Sequence, residues 1–212
     1  KAISLPSGRV AVDVQVGGFG TVCAILDDGS MHCWGHNHEG QIGDGTTSDR
    51  TNLTRTIVSN HGTVSSASIG IQHACAVMDD GSLYCWGSGQ YGALGLGTNT
   101  SHLTSRLVGE SSPQGRSVVM ASTGGGSTCA VMSDGDLLCW GQVWVSDSQH
   151  MEYPLPRGIS LGAHSRALSV SVGGDSSPTK CVISSVPLTM FGPTWMFFCS
   201  TLLAVIIRMV PN

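Results

Sequence analysis

A short apolar segment, an Asp-Gly turn and a Cys-Trp-Gly segment recur along this chain of 212 residues. The first cysteine of the unit recurs after 52 residues and then after 54, and a fourth copy begins 52 residues later at Cys181-Val-Ile. Self-similarity at such a period indicates a repeat architecture, in which each unit needs its neighbours to bury its apolar surface. The three full copies are Cys23-Ala-Ile-Leu-Asp-Asp-Gly-Ser-Met-His-Cys-Trp-Gly35, Cys75-Ala-Val-Met-Asp-Asp-Gly-Ser-Leu-Tyr-Cys-Trp-Gly87 and Cys129-Ala-Val-Met-Ser-Asp-Gly-Asp-Leu-Leu-Cys-Trp-Gly141.

Each copy predicts a β-hairpin. The apolar run after the first cysteine suits a short strand that is buried on both faces. Asp27-Asp28-Gly29 fits a three-residue loop, because Asp tolerates turn geometry and Gly accepts a positive φ. Leu26 then pairs with Ser30, and counting outward places Cys23 directly opposite Cys33. The turn residues of the three copies are Asp28, Gly29, Asp80, Gly81, Asp134 and Gly135.

The opposed cysteines predict disulfides. Directly opposed strand residues have Cβ atoms about 4.5–5.5 Å apart, so a modest adjustment permits a bond. Each bond would close a loop of about ten residues, contribute about 2.5–3 kcal/mol, and place the protein in an oxidising compartment. The alternative is reduced thiols that pack as small apolar residues; a zinc site is disfavoured because the ligand spacing lacks a knuckle. The expected pairs are Cys23 with Cys33, Cys75 with Cys85, and Cys129 with Cys139.

Further strands flank each hairpin. Val12, Val14 and Val16 alternate with polar residues, as do the apolar residues of 168–172, and glycines follow both segments. Nothing in the unit has helical period, and about 52 residues with three or four strands match one blade of a propeller. We therefore expect an all-β fold, an incomplete β-propeller over residues 1–183. Its blades cover approximately 10–61, 64–116, 117–166 and, in part, 167–183.

These residues resemble the repeats of the regulator of chromosome condensation and of the type II β-lactamase-inhibitor protein. The resemblance rests on the Asp-Gly turn, the Trp-Gly after it and a Gly-x-x-Gly-x-[Ile/Leu]-Gly stretch. It implies a ring-shaped, usually seven-bladed propeller whose loops bind a protein or another macromolecule. The paired-cysteine version looks like a bacterial and algal variant often found in extracellular proteins. Nucleotide exchange and chromatin binding belong to particular loops and tails of the family, and no matching motif stands here.

The chain departs from the repeat pattern in two places. The third repeat has Gly141-Gln-Val-Trp-Val-Ser where the Gly-rich stretch is expected. In the fourth, Phe191 and Gly192 stand where Cys and Trp are expected. Three blades and part of a fourth cannot close a ring, so we expect additional blades or a second copy to complete it. The tryptophans beside the second cysteine of each hairpin are expected to pack between blades; they are Trp34, Trp86 and Trp140.

An apolar tail occupies residues 184–212, and no charged residue lies between Cys181 and Ile207. The uninterrupted part, within 194–207, is short for a membrane span, which needs about 20 apolar residues. Three interpretations stay open: a membrane anchor, an artefactual or misjoined end, and a buried strand.

Motifs of enzymes and cofactor sites are missing from the sequence. There is no Gly-x-Ser-x-Gly elbow, no phosphate loop and no His-Glu-x-x-His, so we expect no catalytic residues and no cofactor. His36, His38 and Glu39 could suggest a metal site, but the second repeat has Ser88, Gln90 and Tyr91 in that loop, so no metal is expected. The net charge of −4 argues against nucleic acid as a partner.

Variable segments are the candidates for partner contact, because binding residues concentrate on loops. They are His36–Glu39, Arg50–Arg55 and Gln142–Arg157. Asn52 and Asn99 begin glycosylation sequons in segments expected to be loops. The sequence thus predicts a non-enzymatic scaffold for macromolecular recognition, extracellular or at the cell surface. The alternative is an intracellular exchange factor for a small GTPase.

Overall fold

The structure is a computed structural model that describes residues 3–58, 62–109, 116–146, 149–161, 166–173, 180–185 and 198–199. Within these ranges the chain forms β-strands, turns and two single 3₁₀ turns, with no α-helix. Accordingly, the described part of the chain contains no helix long and apolar enough to cross a membrane.

The strands form four antiparallel sheets, which we call blades 1 to 4. Blade 1 contains β1 (Ala11–Val16), β2 (Val22–Leu26), β3 (Met31–Gly35) and β4 (Arg50–Arg55). Blade 2 contains β5 (Val64–Ile69), β6 (His73–Met78), β7 (Leu83–Gly87) and β8 (His102–Leu107). Blade 3 contains β9 (Val118–Thr123), β10 (Ser127–Met132), β11 (Leu137–Ser146) and β12 (Gln149–Ile159). Blade 4 contains β13 (Arg166–Val172), β14 (Lys180–Ser185) and β15 (Phe198–Cys199).

Strands that follow one another in sequence are neighbours within each blade. Strand β1 contacts β5, β5 contacts β9, and β9 contacts β13, so the first strands of the four blades lie side by side. The outermost strands β4, β8 and β12 lie at the opposite edge of their sheets. This is the arrangement of consecutive propeller blades, and it confirms the predicted all-β, incomplete propeller.

The hairpin turns have the predicted register. The amide of Leu26 donates to the carbonyl of Ser30 at 2.9 Å, and that of Gly29 donates to the carbonyl of Leu26 at 2.8 Å. Gly29 has φ of 73°, in the left-handed region that glycine adopts without strain. The carboxylate of Asp28 accepts a hydrogen bond from the Ser30 amide at 3.0 Å, and this side-chain bond stabilises the turn.

The opposed cysteines are bonded, as the sequence predicts. The bonds join Cys23 to Cys33, Cys75 to Cys85, and Cys129 to Cys139. In each pair the two Cα atoms are 4.1 Å apart, the short separation of directly facing residues on neighbouring strands. All six side chains are buried, so the bonds lie in the core rather than at its rim.

The apolar core lies between blades. The face of blade 1 that carries Cys23 and Cys33 packs against the face of blade 2 that carries Ala74, Ala76 and Trp86. The same pairing joins blade 2 to blade 3. In the third interface, Cys129 and Cys139 pack against apolar residues of β13. Blades 1 to 3 therefore each offer a cysteine face to the next blade, and blades 2 and 3 offer a tryptophan face to the preceding one.

The Gly-rich stretch after a hairpin packs against the tryptophan of the next blade, and we call this stretch the receiver of that tryptophan. Trp86 donates from its indole nitrogen to the carbonyl of Gln41 at 2.8 Å. A Cβ on Gly43, which has φ of 73°, would lie 2.7 Å from that nitrogen. Trp140 repeats the contact with the carbonyl of Ala93 at 2.9 Å. The glycines of this motif therefore make room for an indole and point a carbonyl at its N–H group.

Repeats 3 and 4 depart from the pattern of the first two. In repeat 3 the chain continues as strand β11 where the Gly-rich stretch is expected. In repeat 4, strand β14 pairs with β15, and Cys181 lies opposite Cys199 rather than opposite a residue ten positions on. The tail predicted for 184–212, including 194–207, otherwise lies outside the described residues.

Two segments expected to be loops are strands. Arg50–Arg55 forms β4, residues 142–146 belong to β11, and residues 149–157 belong to β12. Strand β4 lies at the edge of its sheet and pairs on one side only. A strand whose faces are not buried needs no alternation of apolar residues. The polar sequence of β4 therefore did not predict a strand.

Candidate interaction surface

The loops of blades 1 to 3 gather at two ends. Because neighbouring strands are antiparallel, the connections between first and second strands and between third and fourth strands leave at one end, which we call the upper face. In blade 1 these connections are residues 17–21 and 36–49. The Asp-Gly turns and the links between blades lie at the other end, the lower face.

Glycines let the blades approach closely on the upper face. The amide of Gly18 donates to the carbonyl of Gly70 at 3.0 Å, and that of Ile71 donates to the carbonyl of Gly124 at 3.3 Å. A Cβ on Gly70 would lie 2.6 Å from the carbonyl oxygen of Gly124. A Cβ on Gly17 would meet the Gly70 carbonyl at the same distance. Backbone packs directly on backbone here, and only glycine fits.

An apolar groove of about 460 Å³ opens beside these glycines. Its walls come from the ends of the first strands and from the loops that follow them. The residues that line it are Val16, Gly18, Phe19, Ile69, Gly70, Ile71, Thr123, Gly124 and Val172. An apolar concavity with a rim of loops is the usual form of a binding site on a rigid scaffold.

Strand β1 exposes a face that the other first strands bury. The pairing of β1, β5, β9 and β13 with their second strands makes Val16, Ile69, Thr123 and Val172 equivalent. Val16 is 70% exposed, whereas the three equivalent residues are 6–8% exposed. Ile69 and Val172 are buried in the interfaces with blades 1 and 3. The sequence predicted a strand at 12–16 but not that its valines face outward.

Phe19 is an exposed aromatic residue on the upper face. The loop between Gly17 and Thr21 is one residue longer than its counterpart between Gly70 and His73. Phe19, in this longer loop, has φ of 56°, a conformation that costs a non-glycine residue about 1–2 kcal/mol. Its side chain is 71% exposed. Tyr91 has a similar φ of 61° in blade 2 but is partly buried, so exposure rather than strain distinguishes Phe19.

The second loop of blade 1 is held by a buried asparagine. The side-chain amide of Asn37 donates to the carbonyls of Thr46 and Ser48, both at 3.0 Å, and its oxygen accepts from the Ile42 amide at 2.9 Å. Asn37 is fully buried. One side chain thus satisfies three backbone groups across the loop, so the residues on either side of it are fixed in place.

Two histidines and an aspartate meet beside Phe19. The ring of His36 lies 5.6 Å from that of Phe19 and 4.3 Å from that of His38, measured between ring centroids. Asp49 Oδ1 lies 3.7 Å from His36 Nδ1 and 3.6 Å from His38 Nε2. Sequence reasoning paired the histidines with Glu39 and missed Asp49, because the loop that returns the chain to β4 could not be placed from the sequence.

A buried histidine stands at the interface between blades 2 and 3. The Thr128 hydroxyl donates to the carbonyl of Ala93 at 2.8 Å, so the proton on the 2.8 Å bond between His73 Nε2 and Thr128 belongs to His73. Burial lowers the pKa of His73 to about 4. The folded state therefore holds a neutral ring as a hydrogen-bond donor.

The stability of the protein should fall as the pH drops from 6.5 to 4. His73 binds a proton in the unfolded state below about 6.5 but resists it in the folded state down to about 4, so its stabilising contribution is present above this window and lost through it. The full loss is about 3 kcal/mol. Urea unfolding at a series of pH values measures it, and His73→Gln should flatten most of the slope. His32 and His102 should leave a smaller dependence of stability on pH with the same sign, because partial burial lowers their pKa values. An unchanged slope in the variant would contradict this account.

The turn aspartates are explained by the turns themselves. Hydrogen bonds from Ser30 and Ser82 lower the pKa values of the Asp28 and Asp80 carboxyls, and the Asp136 amide does so for Asp134. The glycines that follow them have φ of 73°, 80° and 87°. These residues lie on the lower face, away from the groove.

The tryptophans and sequons lie in different settings. Trp86 and Trp140 are 0% and 1% exposed between blades, whereas Trp34 is only half-buried, and no described blade precedes it. Asn52 is exposed, but it lies in strand β4 rather than in a loop. Asn99 is exposed in the loop before β8.

Family models match the repeats directly. The regulator of chromosome condensation (RCC1) repeat matches residues 80–131 in one model and residues 11–41 and 64–93 in another. The matched segments contain the hairpins of blades 1 and 2, the Gly-rich stretch that follows the second hairpin and the beginning of the stretch that follows the first.

Known proteins share both the sequence and the fold. The ultraviolet-B receptor UVR8 of Arabidopsis thaliana is 35% identical over 119 residues, which are 56% of this chain and 26% of the receptor. Human WBSCR16 superposes with a TM-score of 0.71 at 24% identity, covering 85% of this chain and 47% of that structure. The ectodomain of the receptor kinase CR4 from Physcomitrella patens superposes with a TM-score of 0.53 at 16% identity over 92% of this chain and 42% of that one. The chain thus spans about a quarter of UVR8 and less than half of either solved structure. Its hairpins, its receivers for tryptophan and these matches show that the chain carries repeats of the regulator of chromosome condensation (RCC1) type over residues 11–41 and 64–131.

Proposed function

We propose that this chain forms part of a larger, non-catalytic propeller that binds a protein partner through its upper face, outside the cell or at its surface. The observation that carries the proposal is Phe19, an exposed aromatic residue in a strained conformation at the edge of the apolar groove. Aromatic side chains dominate the binding energy of protein interfaces, and strain of this kind is retained where it serves recognition.

A further blade completes the interface on the side of blade 1. The exposed Val16 and the half-buried Trp34 occupy positions that are buried in the later blades. A neighbour that presents a Gly-rich receiver would bury both side chains, as blade 1 does for Trp86. The neighbour is an additional blade of the same polypeptide or one supplied by a second copy of the chain.

The cysteine pairs support an extracellular setting. Disulfides persist in oxidising compartments, and here all three lie buried in the interfaces between blades. The CR4 structure of the same fold is an ectodomain. Exposed sequons at Asn52 and Asn99 are compatible with this setting.

The oxidation state of the six hairpin cysteines separates this proposal from its intracellular alternative. Alkylation of the protein from its native source, followed by peptide mapping without reduction, should yield three linked peptide pairs and no alkylated hairpin cysteine. The reason is that each pair faces within one hairpin and is shielded from reductants by the neighbouring blade. Six alkylated thiols would instead place the chain in the cytosol and favour nucleotide exchange on a small GTPase.

Photo-crosslinking tests the proposed interface. A photoreactive phenylalanine analogue at position 19 should give a discrete adduct with one protein in the native source, because Phe19 projects from the upper face. The matched control places the same analogue at Ile57, an exposed apolar residue after β4 near the lower face. Equal adducts from both positions, or none from position 19, would contradict the proposal.

A further inference from the structure

We propose that His36, His38 and Asp49 form a site for a divalent transition-metal ion of the zinc type on the upper face. Their donor atoms, two imidazole nitrogens and one carboxylate oxygen, all lie within 4.8 Å of one another. Neutral imidazole and carboxylate are donors that zinc accepts, and three protein ligands leave a fourth position for water or another donor.

The separations are close to those of a coordinated ion. Zinc binds such donors at about 2.0–2.2 Å, so two ligand atoms of a tetrahedral site lie about 3.3 Å apart. The Asp49 oxygen lies 3.7 Å from His36 Nδ1 and 3.6 Å from His38 Nε2. Small side-chain rotations would bring these atoms to the separation of a tetrahedral site. His38 and Asp49 are exposed, so their side chains have room to rotate.

The equivalent loop of blade 2 shows which of these groups the loop needs for its own structure. There the Gly89 amide donates to the Ser101 hydroxyl at 3.1 Å, as the Asn37 amide donates to Asp49 at 2.8 Å in blade 1. A hydroxyl is therefore enough to hold the loop. Blade 1 has a carboxylate at this position and places two imidazoles around it, where blade 2 has Ser88 and Gln90.

The site is preorganised before any ion binds. Asn37, between the two histidines, is fully buried and ties the loop together through three side-chain hydrogen bonds to backbone groups. Its amide also orients the Asp49 carboxylate. The Phe19 ring lies against His36 and limits the orientations of that imidazole. Supporting contacts of this kind around ligands are what give a surface site useful affinity.

Zinc titration of the disulfide-bonded chain tests this inference independently of any protein partner. After treatment with a chelator, calorimetry at pH 7.5 with zinc alone should show a saturable site of one ion per chain. The variants His38→Gln and Asp49→Ser introduce the residues of blade 2, so the loop keeps its hydrogen bond in the second variant. Each should weaken binding at least tenfold, since each removes one of the three proposed ligands.

His102→Asn provides the matched control, because His102 lies on β8, accepts a hydrogen bond from Arg106 and is not one of the three clustered residues. It should leave the affinity unchanged. Binding that is absent in the unmodified chain would overturn the inference. So would binding that survives both His38→Gln and Asp49→Ser, since zinc would then be held by other residues. Failure here would leave the crosslinking test at Phe19 unaffected.

Discussion

Replacing Trp86 with alanine is expected to lower the free energy of unfolding by about 3–5 kcal/mol. The indole is fully buried between blades 1 and 2. Its loss opens a cavity against Gly43 and leaves the carbonyl of Gln41 without its donor. Urea unfolding followed by circular dichroism measures the change.

Trp34→Ala is the matched control, because Trp34 occupies the same position in blade 1 but is only half-buried. Because Trp34 is less buried, its removal sacrifices less hydrophobic transfer free energy and leaves a smaller cavity. The expected decrease in the free energy of unfolding is therefore at most about half that of Trp86→Ala. Equal losses would show that blade 1 does not receive Trp86 in the way described. If the further blade proposed above is supplied in an extended chain, the two losses of unfolding free energy should become similar.

Gly70→Ala is expected to cost about 3 kcal/mol, at the upper end of what an overpacked site costs. The new methyl group would lie 2.6 Å from the carbonyl oxygen of Gly124 and 3.1 Å from that of His73. Both obstacles are backbone, so neither can rotate away. The variant should also loosen the hydrogen bonds that link successive blades at the upper face.

Gly109→Ala serves as the control for backbone conformation alone. Gly109 has φ of 64°, and nothing lies within 4 Å of the position of its Cβ. The expected cost is therefore the left-handed strain of about 1 kcal/mol. A Gly70→Ala variant no less stable than Gly109→Ala would mean that the blades are not in backbone contact at this point. Thermal or urea unfolding of the two variants side by side decides this.

Much of the blade could be predicted from the sequence because its determinants are local. The Asp-Gly loop fixes the register of the hairpin, and that register alone brings Cys23 to Cys33. The same counting holds in the second and third copies. Three identical spacings were therefore enough to predict three bonds and the period of the propeller.

What the sequence could not reveal depends on contacts between blades. The alternation of Val12, Val14 and Val16 predicts a strand but cannot say which face has a neighbour. The close approach at Gly70 depends on a residue 54 positions away, Gly124, and no local pattern reports it. The outer strand β4 carries no apolar alternation, because none of its residues is fully buried on either face.

The candidate site was predicted only in part for a related reason. His36 and His38 stood out in the sequence, but their partner Asp49 is brought back by a loop that is organised around the buried Asn37. Alignment of the two loops pairs Asp49 with Ser101, and the structure shows that both accept a hydrogen bond from a backbone amide at the start of the loop. Comparing repeats thus reveals what departs from the scaffold, as it does for Phe19.

Hydrogen exchange at the amides of Gly18 and Ile71 tests most directly that the hairpins stack as consecutive blades. Both amides lie in surface loops, and each donates to the carbonyl of a glycine in the next blade. The account predicts exchange at least a hundredfold slower than in an unstructured peptide, with protection lost in Gly70→Ala. Exchange at the unprotected rate in the unmodified protein would contradict the stacking on which the upper face and its groove depend.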